Sequence, residues 1–127
     1  GVIHDSDIAA LIDEIPVLAA IAPYSENGLV FRNAKELRVK ESDRISSIAA
    51  GLHAMGARFE EHDDGLTIPG RQNLHGAEVN SFGDHRIAMA FAIAALRASG
   101  ETQIAGASAS AVSFPAFFEL LANVTKY

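Results

Sequence analysis

Apolar positions along the chain fall into periodic runs separated by breaks rich in glycine, proline and acidic residues. Ile45, Ile48, Ala49, Leu52 and Met55 recur at spacings of three and four, which predicts a helix over residues 42–55, closed by Gly56. A second run, Ile87–Leu96, predicts a helix capped by Asp84, with Gly100 beyond its end; it is apolar all round, as a buried helix would be. Asp13 suits an N-cap, with Glu14 in the first turn and Pro16 tolerated there, so a helix is expected through "VLAAIA" as far as Pro23. Short strands are expected at "GLVFR" (28–32), "AEVN" (77–80) and "TQIAG" (102–106), with "GRQNLHG" (70–76) as a loop. "ARFEEH" and "GLTIP", around Asp63-Asp64-Gly65, read as a β-hairpin. A last helix is expected at "SFPAFFELLANV", from Ser113.

The order recurs. An aspartate, an apolar alanine-rich helix, a glycine-led strand, a loop and a second helix appear from Asp13 and again from Asp84, offset by about 71 to 73 residues. This suggests a duplicated supersecondary unit, over about 6–80 and 81–127, with helices packed on sheets in an α/β or α+β arrangement. No strand is expected ahead of the first unit, which gives it the look of a cut inside a larger domain.

Composition narrows the function classes. A chain of 127 residues can form one modest domain. Its net charge of −6, with no basic stripe, argues against a nucleic-acid partner. Without cysteine there is no disulfide or thiolate metal site, which suits a reducing cytoplasm. Asp5 and Asp7 lie where a signal peptide would be basic, and no apolar run approaches the roughly 18 residues of a membrane span.

Charge is concentrated at two helix starts. "RVKESDR" (38–44) runs directly into the first apolar stripe. Arg38 and Lys40 alternate around Val39 in a segment expected to be extended, and so share a face. Glu41 and Arg44 become neighbours as the helix begins, and Arg44 borders the apolar stripe four residues before Ile48. A cation at the partly positive end of a helix is disfavoured unless an anion completes the site. A solvated network, Glu41 with Arg44 and Asp43 with Lys40, is the plainer alternative. "FGDHR" (82–86) repeats the theme, placing an acid, an imidazole and an arginine at the start of the second helix. Taken alone, Asp84 is an N-cap and His85 a surface histidine; taken together, the two starts resemble two arms of one anion site. Elsewhere, the five histidines lack paired metal spacing, and no glycine-rich phosphate loop or nucleophile elbow is present. "GASASAVSF" (106–114) is either a phosphate-touching loop or an ordinary turn.

Longer stretches carry a family resemblance. "IDEIP" (12–16), "LRVKESDRI" (37–45), "GLHAMGA" (51–57), "LHGAEVNSFGDHRIAMAFAIAAL" (74–96) and "SFPAFFELL" (113–121) resemble, in order, the 5-enolpyruvylshikimate-3-phosphate synthase family. The pairing of K-E-[ST]-D-R with G-D-H-R is specific to it; the sister UDP-N-acetylglucosamine enolpyruvyl transferase is not similar at these motifs. The resemblance implies two domains of βαβαββ units, of which this chain would be the C-terminal part. It also implies transfer of the enolpyruvyl group of phosphoenolpyruvate to the 5-hydroxyl of shikimate 3-phosphate, without metal or organic cofactor, with no membrane or nucleic-acid partner and with glyphosate as a candidate ligand.

Carried over by position, the resemblance makes Asp13 the contact and base at the 5-hydroxyl, and Lys40 the lysine beside that hydroxyl and the bridging oxygen. Glu41 would move a proton to and from the methylene carbon. Arg44 and Arg86 would hold the phosphoenolpyruvate carboxylate, with His85 beside them. Two departures stand out: Val112 replaces a lysine that reaches the phosphate in many members, and Glu36 replaces an asparagine found in some. The family grips the shikimate phosphate mainly through its other domain, so the 127 residues alone are expected to be inactive. Two alternatives remain: another enolpyruvyl transferase, or a non-catalytic folding or interaction unit.

Overall fold

The computed structural model describes residues 1–106 and the backbone of a strand at 112–114. It is a mixed α/β arrangement. In order, the elements are α1 (Asp5–Leu11), α2 (Ile15–Ile21, continuing into a 3₁₀ turn), β1 (Leu29–Phe31), a 3₁₀ turn at Lys35–Val39, α3 (Arg44–Ala54), β2 (Glu60–His62), β3 (Gly65–Ile68), β4 (Glu78–Asn80), α4 (His85–Ala95), β5 (Thr102–Ala105) and β6 (Val112–Phe114). One antiparallel sheet has the order β1-β3-β2; the other, β4-β5-β6, pairs β4 with β5 in parallel and β5 with β6 antiparallel.

Longer-range contacts at both ends of α2, α3 and α4 fix a common direction. Arg86, at the start of α4, donates to the Asp13 carbonyl just before α2 (3.3 Å). At the far ends, the Tyr24 hydroxyl donates to the Ala94 carbonyl (2.8 Å). Helices α2 and α4 therefore lie side by side and point the same way. The start of α3 meets the start of α4 through Arg44 and Asp84, while Met55, at its end, accepts from His75 and Leu74 accepts from Ser99, beyond the end of α4. All three helices thus begin at one end of the molecule. Tyr24 is held deep enough for burial to push its hydroxyl up to about 12, despite the opposing Arg97 charge.

The predicted stripe of α3 is the core: Ile45, Ile48, Leu52 and Met55 are fully buried, with Phe31, Leu37, Leu66 and Ile68 packed around them. Gly51 of α3 faces the Phe91 ring of α4. A Cβ there would collide with the ring of Phe91, itself fully buried and without room to swing aside.

Several expectations are corrected. Asp13 caps nothing: α1, not foreseen, carries the chain into α2 through helical angles, so Glu14 takes the N-cap position without a side-chain cap bond. A capping residue needs extended angles, which this entry does not provide. Residues 35–39 form a 3₁₀ turn rather than an extended segment, which sends Arg38 and Lys40 to different partners. Helix α4 is not buried all round, because Met89 is 54% exposed and Ile93 also reaches the surface, as does Ile21 of α2. Val2 makes a parallel bridge to Val30, so an extended residue does precede the first helix. Ser113 and Phe114 lie in β6, not in a helix. The rest of the expected last helix, most of the serine-alanine stretch and the Val112 side chain lie outside the described residues. No helix among the described residues is long and apolar enough to cross a membrane.

Gly51→Ala is expected to destabilise the protein. The gain in helix propensity is about 1 kcal/mol, whereas overpacking against Phe91 costs typically 1–3 kcal/mol. A lowered urea midpoint with an unchanged slope would show it; a raised midpoint would mean that Phe91 yields easily.

Candidate functional site

The two charged helix starts come together. Asp43 caps α3, accepting from the Ser46 amide (3.1 Å), and Asp84 caps α4, accepting from the Arg86 amide (3.0 Å) and the Ile87 amide. Both use an aspartate in extended conformation to satisfy first-turn N–H groups, as capping requires. Gly83, at a positive φ of 75°, turns the chain so that Asp84 enters the cap.

Arg44 is the centre of the cluster and is only 3% exposed. Its Nε donates to Asp84 Oδ2 (2.9 Å) and its Nη2 reaches Oδ1 of the same carboxylate (3.4 Å). Its Nη1 donates to Asp13 Oδ1 (3.2 Å), and Nη2 also pairs with Glu41. The carboxylates differ in setting: Asp84 is fully buried, whereas the Asp13 and Glu41 side chains are 48% and 65% exposed. Ser42 donates to Asp84 as well (2.8 Å). Burial alone would raise the Asp84 carboxyl, but hydrogen bonds from Arg44 and Ser42 and the Arg44 charge hold it below the usual carboxylate range. Burial likewise opposes the Arg44 charge, yet Asp84, Glu41 and Asp13 push its guanidinium upward.

The remaining candidates surround this pair. Lys40 Nζ lies 3.5 Å from Glu36 and 3.9 Å from Asp13. Arg86 Nη1 is 3.4 Å from Glu14. Glu41, Arg44, Gly83, Asp84, His85 and Arg86 line an open depression of about 230 Å³. The structure therefore brings Glu41, Arg44, His85 and Arg86 around one concavity, with Asp13 reaching them through Arg44 and Lys40 through Asp13. Such a surface can hold a small carboxylate: two guanidinium groups supply planar donor pairs, and two helix starts add N–H dipoles. Among the described residues no group of three histidine, aspartate or glutamate side chains is placed to hold a metal.

The solvated-network alternative is corrected in part. Glu41 does pair with Arg44, but Asp43 pairs with Arg38 (3.0 Å) rather than Lys40. Arg38 also holds the Asp63 and His62 carbonyls and Glu61, tying α3 to the hairpin. Sequence reasoning missed Asp84 as the buried counter-ion of Arg44, and Glu14 and Glu36 as partners. The i,i+4 spacing of Glu36 and Lys40 was the one available signal, and no local spacing links Arg44 to Asp84, forty residues away.

Comparison with known proteins places these residues in context. Residues 2–121 match the family described as EPSP synthase (3-phosphoshikimate 1-carboxyvinyltransferase). A 3-phosphoshikimate 1-carboxyvinyltransferase of Koribacter versatilis is 62% identical over 118 residues, covering 93% of this chain and 28% of that protein. One from Solibacter usitatus is 53% identical over 126 residues, covering 99% of this chain and 30% of that protein. A solved EPSP synthase structure from Acinetobacter baumannii superposes with a TM-score of 0.77 at 40% identity, covering 82% of this chain and 25% of that one. The chain thus spans less than a third of the length of the curated relatives it matches.

Removing the buried cation tests the balance of charge. Asp84 has a folded-state pKa below its unfolded value, so the stability it contributes is present above the unfolded pKa, about 4, and lost as pH falls through the folded value. Arg44→Met strands that carboxylate and is expected to cost about 3–5 kcal/mol at pH 7. The penalty should begin to shrink above the usual carboxylate range as pH falls, because burial raises the Asp84 carboxyl once its cation is gone and the stranded group takes up a proton early. Denaturant titrations of both proteins at several pH values measure it; a pH-independent difference would contradict the pairing.

Proposed function

The chain belongs to the EPSP synthase family, and from that premise we propose that it is the C-terminal part of a cytoplasmic enzyme that transfers the enolpyruvyl group of phosphoenolpyruvate to the 5-hydroxyl of shikimate 3-phosphate, releasing phosphate. The observation that carries this reading is Arg44: a nearly buried guanidinium at a helix start, beside Arg86, with two of its three carboxylate partners exposed. A buried cation with easily displaced partners is suited to exchange them for a ligand carboxylate.

In this reading Arg44 and Arg86 clamp the phosphoenolpyruvate carboxylate, with His85 at the rim. The incoming carboxylate takes over the Arg44 donors that Glu41 and Asp13 hold, and so frees both acids. Asp13 then accepts the proton of the 5-hydroxyl as its oxygen bonds to C2 of phosphoenolpyruvate, with Lys40 beside that oxygen. Glu41 delivers a proton to the methylene carbon. In the second half the same carbon returns a proton to Glu41 as the C–O bond to phosphate breaks, which regenerates the enol ether. Acid at carbon and base at oxygen are the two roles such an addition–elimination requires.

The repeat behind the two units proposed at about 6–80 and 81–127 draws support from the strands, with Val2 and β4 each a few residues ahead of those bounds. Val2 runs parallel to β1 with α1 and α2 between them, and β1 then pairs antiparallel with β3; likewise β4 runs parallel to β5 across α4, and β5 pairs antiparallel with β6. The exposed Ile21, Met89 and Ile93 fit a unit that packs against further polypeptide of the parent enzyme. The sister transferase is not favoured, since the curated relatives carry the shikimate name. Glyphosate stays a candidate ligand of the arginine clamp.

The 127-residue chain alone is expected to show no turnover of shikimate 3-phosphate with phosphoenolpyruvate. Supplying the missing domain should restore it, and Glu41→Ala in the reconstituted enzyme should lower kcat by about 10²–10⁴-fold. Turnover by the isolated chain would refute its dependence on the other domain, whereas no activity after reconstitution, or full activity of the Glu41 variant, would refute the assignment.

A further inference from the structure

Asp84 differs from the other carboxylates of the cluster in which edge of Arg44 it holds. It occupies the Nε/Nη2 edge of the guanidinium, with Nε–Oδ2 at 2.9 Å and Nη2–Oδ1 at 3.4 Å. Asp13 and Glu41 occupy Nη1 and Nη2, and of these two Glu41 lines the depression. A planar guanidinium held along one edge keeps one orientation and presents the opposite edge for recognition.

The same carboxylate also organises the second arm. Oδ1 accepts from the backbone amides of Arg86 (3.0 Å) and Ile87 (3.4 Å), which starts α4 and sets where Arg86 leaves the helix. Oδ2 accepts from the Ser42 hydroxyl (2.8 Å), which ties in the segment that carries Lys40 and Glu41. Asp84 borders the depression but has no exposed surface, because its oxygens are taken up by Arg44, Ser42 and the first amides of α4.

We infer that Asp84 is a positioning residue that fixes the two arginines, Arg44 and Arg86, relative to one another, so that their free edges form one carboxylate clamp. It does not touch substrate. Asp13 and Glu41 are exchangeable partners of Arg44, whereas Asp84 stays in place when the site is filled. This rests on the reading proposed above, in which the clamp holds phosphoenolpyruvate.

The test is Asp84→Asn in the full-length enzyme. Asparagine keeps the shape and caps a helix as well as aspartate does, but its amide presents donors where Arg44 needs acceptors. The expected result is a KM for phosphoenolpyruvate raised by about 10–100-fold, with kcat changed much less and KM for shikimate 3-phosphate close to the wild-type value. The ¹⁵N resonance of Arg44 Nε, protected from exchange in the wild type, should become fast-exchanging in the variant. Asp84→Ser, a cap without the charge, should show the same KM split. A loss of kcat and of both KM values in step with a lowered Tm would reduce Asp84 to a helix cap and overturn the inference. So would an Arg44 Nε signal that stays protected in the variant. If instead the wild-type enzyme turns over no phosphoenolpyruvate, the functional reading fails, while the Nε measurement still decides whether Asp84 positions Arg44.

Discussion

The pairing of Arg44 with Asp84 is the constraint around which the molecule is arranged. Both groups are almost wholly removed from water, at a cost of several kcal/mol per ion that only a full set of partners offsets. Asp84 gains them from Arg44, Ser42 and the first amides of α4. Arg44 gains them from Asp84, Asp13 and Glu41. Satisfying this pair requires the start of α3 and the start of α4 to meet, and the Arg86 contact to Asp13 and Glu14 brings the entry to α2 to the same place. Apolar residues of similar volume commonly serve stability as well as a buried ion pair does, so stability by itself gives little reason to retain it. The edge of Arg44 that Asp13 and Glu41 hold from half-exposed side chains supplies one.

Arg38 and Arg44, six residues apart, show how differently one side chain can be used. Arg38 spreads its donors over Asp43, Ser46, Glu61 and two hairpin carbonyls, so that α3, its cap and the hairpin hold one another. Most of these partners belong to turns and strands that other contacts fix. Two of the three carboxylates on Arg44 are instead on side chains 48% and 65% exposed, where exchange for another anion costs less desolvation. The first arginine fastens the fold; the second is available for the proposed chemistry.

Legibility in the sequence followed the range of the interaction. The stripe of α3, the aspartate cap before Ile87 and the hairpin around Asp63 are local patterns, and the structure reproduces them. The mixed α/β class and the convergence of two charged helix starts were legible as well, because each start announces itself by an arginine beside an apolar stripe. Asp13 misled for a physical reason: it has the side chain of a cap, but the chain passes from α1 to α2 with helical angles at Ile12 and Glu14 on either side of it, and Arg44 recruits its carboxylate. The apolar circumference of α4 misled as well, since hydrophobicity all round says only that a helix can be covered, not that these residues cover it. The Arg44–Asp84 pair was out of reach because it joins residues forty positions apart that meet only once the helices are parallel.

Charge in the cluster fits the proposal that this surface is half of a site. The cations Lys40, Arg44 and Arg86 are each within 4 Å of carboxylates supplied by Asp13, Glu14, Glu36, Glu41 and Asp84. Acids therefore outnumber bases, and the helix starts offset this only in part. Phosphoenolpyruvate and shikimate 3-phosphate each bring a phosphate, so the proposed complex would place several further negative charges beside this surface. A single carboxylate can be accommodated by exchange with Asp13 or Glu41; the phosphates need cations that this cluster does not have to spare. In the proposed enzyme those cations come from the facing domain, and closing it over the clamp would also lower the local dielectric and strengthen every pairing within. Substrate charge then becomes what draws the two halves together, with Arg44, held from behind by Asp84, as the fixed point of this half.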